Sequence, residues 1–177
     1  MTLLYTSYYG RLREIEEKFK DRGVLKVAIS RKIPKGVNVF LRLEDFVPSN
    51  ELVHLAKDNI ITNKEFHKMY YEQNLRNCDK DKFKKVIADL SDAFSVIVFL
   101  CYEKPDEGVC HRHDFAKWAT EECGIRIAEF TGERGVQLRL KLTYYAVMPF
   151  SRIGQKETYK GYIKSLKTGL KNMERIP

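Results

Sequence analysis

The distribution of apolar positions along the chain predicts an alternation of strands and helices. The strongest element is "FSVIVFLCY" (94–102), apolar throughout and rich in β-branched residues, as expected of a strand buried on both faces. Two shorter apolar runs, "TLLYT" (2–6) and "VLKVAIS" (24–30), predict further strands. Between them, "RLREIEEKFKDRG" places Leu12, Ile15 and Phe19 on one helical face and ends at Gly23. Residues 31–48, beginning with the Pro-Gly loop "RKIPKGVN", show no clear periodicity. Helical spacing returns in "NKEFHKMYYEQNLR" (63–76) and in "DKDKFKKVIADLSDA" (79–93), where Asp79 is a suitable cap. A helix over "CHRHDFAKWATEECG" (110–124), stopped by Gly124, leads to the short strand "IRIAEF" (125–130). This order predicts an α/β fold with a mostly parallel sheet flanked by helices.

The remaining segment has a different pattern. In "VQLRLKLT" (136–143), Val136, Leu138, Leu140 and Leu142 alternate with polar residues, predicting a half-buried strand at an edge. "QKETYKGYIKSLKTGLKNM" (155–173) predicts a basic amphipathic helix with Tyr159, Ile163, Leu166, Leu170 and Met173 on one stripe. Lys156, Lys160, Lys164, Lys167 and Lys171 form a second stripe beside it. The expected organisation is an α/β domain over 1–133 and a C-terminal extension, 134–177, packed on it.

Charge sharpens that division. The formal net charge is +8, and from Arg134 onward 10 Lys/Arg face only 2 acids, so the extension carries the whole excess. The first 133 residues balance. With 44% hydrophobic and 32% charged residues the composition is that of a globular protein. No apolar run approaches the roughly 20 residues of a membrane span. The opening "MTLLYTSYYG" has no basic n-region, and four unevenly spread cysteines make no disulfide framework, so the expected location is cytoplasmic, with no membrane partner.

Candidate chemistry gathers at the carboxyl ends of the predicted strands, where parallel α/β sheets bind ligands. The first end offers Thr6 and Ser7, and the second Ser30 and Arg31. The third offers Cys101, Tyr102 and Glu103, followed at the next helix start by Cys110, His111 and Arg112. Hydroxyls, arginines and a helix N-terminus suit an anion such as phosphate. Helix phase puts His111 (with Phe115 and Trp118) and Arg112 (with Ala116, Ala119 and Cys123) inward, and His113 outward.

Cys110 has two readings: a thiol activated by the helix start and Arg112, or a residue that packs and caps the turn. Glu103 is either a general acid or base, or the ion-pair partner of Arg112 or Arg31. Ser30 and Arg31 can likewise simply anchor a loop. A cysteine-phosphatase loop is excluded, because Ala116 and Glu107 stand where an arginine would be needed. A zinc site using Cys101, Cys110 and a histidine lacks an anchoring Cys-x-x-Cys pair, so the sequence assigns no metal and no cofactor. No glycine-rich dinucleotide or Gly-Lys-Ser/Thr loop is present.

"LLYTSYYG", "VAISRKIPKG" and "VFLCYEKPDEGVCHRHDFAKW" together resemble the domain of unknown function 488 family. The similarity lies in Tyr-Thr-Ser on the first strand, Ser-Arg and a following Pro on the second, and Cys-Tyr-Glu-Lys-Pro leading to Cys-His-Arg. It covers roughly residues 2 to 130 and leaves out the basic tail. The resemblance implies an α/β fold, Glu103, Cys110, His111 and Arg112 as signature residues, and a loose association with DNA repair.

The leading expectation is a phosphate site for a nucleotide or nucleic acid. Arg31 and Arg112 would hold the charge, Thr6, Ser7 and Ser30 would complete the cradle, and Cys110, His111 or Glu103 would perform any chemistry. Two alternatives stand beside it. The signature residues could brace a protein-interaction module, or the lysine stripe at 156–171 could bind nucleic acid without catalysis, the plainer reading of that stripe being a solvated helix face. If the stripe binds DNA, replacing Lys160, Lys164 and Lys167 by Gln should lower affinity and reduce the log–log salt slope by roughly two to three. Cys110→Ser should leave that binding untouched. An unchanged slope in a salt titration contradicts the nucleic-acid role of the stripe.

Overall fold

A computed structural model describes residues 2–104 and 110–132. Five strands form one parallel sheet in the order β3-β2-β4-β1-β5: β1 Leu3–Tyr8, β2 Val24–Ala28, β3 Leu41–Arg42, β4 Val96–Cys101 and β5 Ala128–Glu129. The helices are α1 Leu12–Lys18, α2 Asn50–Lys57, α3 Asn63–Tyr70, α4 Lys80–Ala93 and α5 Arg112–Cys123. The α/β reading of the sequence holds. The expected strand at 136–143, the helix at 155–173 with its lysines, and the boundary at 134 lie outside the described residues.

Every residue of β4 is buried, because neighbours pair with both its edges and helices cover both its faces. Alternation sorts its side chains. Val96, Val98 and Leu100 pack with Leu12, Ile15 and Phe19 of the α1 segment and with Phe130. Phe99 turns to the opposite face, where its ring lies 5.0 Å from Phe115 of α5. Phe115 in turn meets Phe46 at 4.8 Å and Phe83 of α4 at 5.8 Å, and Trp118 packs on Phe46 and Phe83 at 5.3 and 5.2 Å. These aromatic rings fill the second layer of the core.

Local signals set the helix ends. Asp79 caps α4, accepting from the backbone N–H groups of Asp81 and Lys82. Thr62 and Glu65 form a reciprocal capping box on α3. Gly124 terminates α5 in the left-handed conformation at φ +70°. Two segments differ from expectation. Residues 31–48 contain the two-residue strand β3 and a 3-10 turn at Glu44–Phe46, both too short to leave a periodic signature. The 63–76 helix changes after Tyr70 into a π-helical turn, Tyr71–Leu75.

Strand order decides where a ligand site can form. From β1 the chain passes through α1 to β2, leaving a slot that β4 later fills, and from β4 it passes through α5 to β5 beyond β1. Neighbouring strands β2 and β4 therefore send their chains away in opposite directions, toward β3 and toward β5. Such a divergence opens a crevice at the carboxyl ends. The fold predicts that Phe115→Ala, which empties the centre of the aromatic layer, lowers the unfolding free energy by about 3–5 kcal/mol in urea denaturation. Ile60→Ser, at a position 66% exposed, should change it by less than about 0.5 kcal/mol.

Candidate functional site

The N-terminus of α5 carries the side chains that tie three elements together. Arg112 is 0% exposed. Its Nε donates to both carboxylate oxygens of Glu129 on β5, at 3.0 and 3.2 Å. Its Nη1 donates to the backbone carbonyl of Glu103 and to the Cys110 sulfur, both at 2.8 Å. Nη2 is buried with no hydrogen-bond partner among the described residues. Thr6 on β1 donates its hydroxyl to Glu129 at 2.6 Å, completing a network across the strand ends. The partner of Arg112 is thus Glu129, and Glu103 contributes its carbonyl.

Beside this pair lies a group of sulfur, carboxylate and imidazole. The Cys110 thiol donates to the Cys101 sulfur at 3.2 Å, and the Cys101 thiol donates to Glu103 Oε2 at 2.7 Å. His111 Nδ1 is 3.6 Å from the Cys101 sulfur, while Nε2 meets the carbonyl of Ile29 at 2.7 Å. One donor atom from each of Cys101, Glu103, Cys110 and His111 lies within 4.8 Å of all the others. Burial pushes the Cys101 thiol well above its ordinary pKa, with Cys110 and Glu103 adding to the effect. Burial lowers the pKa of His111, against the raising effect of the Ile29 carbonyl. Both therefore favour their neutral forms, and the imidazole ring is held in place by Tyr70 at 5.1 Å.

The crevice between β2 and β4 forms a recess of about 290 Å³ on the other side of His111 and Glu103. Ser30, Arg31 and Lys32 line it from the end of β2, and His54 and Lys57 from α2. Tyr102 and Glu103 line it from the end of β4, and Glu103 is the only acidic residue among the described lining residues. Arg31, Lys32 and Lys57 take part in no ion pair among the described residues. Tyr102 is 54% exposed and continues into a neighbouring recess that also includes Lys57 and Lys104.

The residues singled out from sequence fall into separate places. Ser30, Arg31, Glu103 and His111 meet at the recess, and Cys110 joins Glu103 and His111 just beneath it. Ser30 shares its hydroxyl with Tyr9 at 2.8 Å and with the Lys32 carbonyl at 2.9 Å. Thr6 and Arg112 belong to the Glu129 network and do not line the recess. Ser7, registered opposite Leu100, sits on the α1 face with its buried hydroxyl unpartnered among the described residues. Lys156, Lys160, Lys164, Lys167 and Lys171 lie outside the described residues. Sequence reasoning missed Lys57, His54 and Glu129, and it named Tyr102 at the strand end without giving it a role. Only the i, i+3 pairing of His54 and Lys57 on α2 offered a signal.

A family profile described as "Active DUF488-N3 subclade" (DUF488-N3a) matches residues 11–122. No curated protein and no solved structure matches the chain.

Replacing Glu129 by Gln leaves the guanidinium of Arg112 buried without a counter-charge, and should cost about 3–5 kcal/mol of stability. Arg112→Met combined with Glu129→Gln should cost less than the sum of the single changes, by about 0.5–3 kcal/mol in a double-mutant cycle of denaturant unfolding. Strict additivity contradicts the pairing.

Proposed function

The chain belongs to the DUF488 family, and from that premise we propose that it binds a phosphorylated ligand, a nucleotide or a nucleic-acid phosphate, in the recess between β2 and β4. The observation that carries this reading is the charge of the described residues around the recess: Arg31, Lys32 and Lys57 without ionic partners among them, against the one carboxylate among them, that of Glu103. Uncompensated cations at a concave site repel one another and are relieved by an anion. The guanidinium of Arg31 supplies a planar fork for two phosphate oxygens, and the lysines supply point charges.

Two further features favour a nucleotide over free phosphate. The exposed ring of Tyr102 stands where the two recesses meet, offering a face on which a base can stack. The recess, at about 290 Å³, lies near the lower end of small-molecule sites, so a phosphate and its sugar would fill it and leave the base at Tyr102. The matched subclade is described as active, and Glu103 and His111 at the floor, with Cys110 beneath them, are the groups able to act as nucleophile or as acid and base.

Calorimetric titration of the full chain with inorganic phosphate and with adenosine monophosphate tests the reading. Arg31→Ala with Lys57→Ala should weaken both at least tenfold. Tyr102→Ala should weaken only the nucleotide, by about 1–3 kcal/mol. Unchanged affinity in the double variant, or loss only when the lysines at 156–171 are replaced, contradicts the assignment.

A further inference from the structure

We propose that Cys101, Glu103, Cys110 and His111 form a binding site for a divalent transition-metal ion of the zinc type, set beneath the phosphate recess. Two sulfurs, one imidazole nitrogen and one carboxylate oxygen make a donor set that suits a borderline-soft ion and disfavours magnesium or calcium.

The distances favour coordination. Zinc bonds of about 2.0–2.3 Å on a tetrahedron place neighbouring donors roughly 3.3–3.8 Å apart. Cys101 and Cys110 sulfurs are 3.2 Å apart, Cys101 and His111 Nδ1 3.6 Å, and Cys110 and Glu103 Oε2 3.8 Å. Two pairs are closer than this range: the Cys101 and Cys110 sulfurs and, by a wider margin, Cys101 to Glu103 Oε2 at 2.7 Å, where the thiol proton bridges the two. An ion that replaces that proton removes the bridge and lets Cys101 and Glu103 open by about 1 Å, the difference from a tetrahedral edge.

The surroundings match what an ion needs. His111 engages the Ile29 carbonyl through Nε2, which fixes the tautomer and leaves Nδ1, 3.6 Å from the Cys101 sulfur, without a proton. Arg112 Nη1 donates to the Cys110 sulfur and so brings a positive charge to the edge of the group, offsetting part of the negative charge that two coordinating sulfurs and a carboxylate bring. Binding exchanges the ion for the two thiol protons, which leave to solvent, so no oxidant or reductant is involved. Because Glu103 and His111 also line the recess, the ion would sit within reach of a bound anion. Metal content and phosphate affinity are read by separate measurements, so either can fail without the other.

The test loads the chelator-stripped full chain with Zn2+ or Co2+. One ion per chain by native mass spectrometry, visible bands of tetrahedral thiolate-bound Co2+, and X-ray absorption showing two sulfur and two nitrogen or oxygen neighbours of Zn2+ are expected. Cys110→Ser should lower Zn2+ affinity at least tenfold, whereas replacing Cys78 and Cys123 together should not change it. If Cys110→Ser fails to fold, the absorption spectrum of the unaltered protein still decides. Absence of bound ion, or an ion surrounded only by nitrogen and oxygen, overturns the proposal.

Discussion

The buried guanidinium of Arg112 is the constraint on which the candidate site depends. It reaches Glu129 on β5, the carbonyl of Glu103 beyond β4 and the sulfur of Cys110, so one side chain joins two strand ends to the start of α5. A charge removed from water in this way is costly unless geometry and hydrogen bonds offset it. The rigid fork of arginine meets that requirement at several acceptors at once, and the single ammonium of lysine could not. With α5 held at this point, His111 reaches back to Ile29 and Cys110 faces Cys101. The floor of the recess is therefore set by an ion pair that the recess itself does not contain.

Parallel topology explains why these groups meet. The interior of the sheet is apolar, with β4 buried along its whole length, and polar chemistry begins only where the strands end. Two kinds of arginine result. Arg112 is committed to protein partners, while Arg31, at the divergence of β2 and β4, faces the recess with Lys57 from α2. The first fixes geometry, and the second has no ionic partner among the described residues.

Sequence periodicity revealed the fold to the extent that burial is regular. The run from 94 to 102 and the inward phase of Phe115, Trp118 and Ala119 were legible because each position repeats its environment. The gathering of Cys101, Glu103, Cys110 and His111 was legible as well, since they fall within eleven positions. Glu129 was not. Its pairing with Arg112 depends on the placement of β5 beside β1, a long-range property without local signature. Lys57 and His54 were hidden for the same reason, as α2 reaches the recess only through tertiary packing. Thr6 and Ser7 show the limit of adjacency: neighbours in sequence, they point to opposite faces of the sheet.

Backbone amide NMR during titration with adenosine monophosphate tests the central claim most directly. The account predicts saturable shifts at Ser30, Arg31, His54, Lys57 and Tyr102, the residues around the crevice. Shifts confined to other parts of the chain, with these five unmoved at saturation, would contradict it.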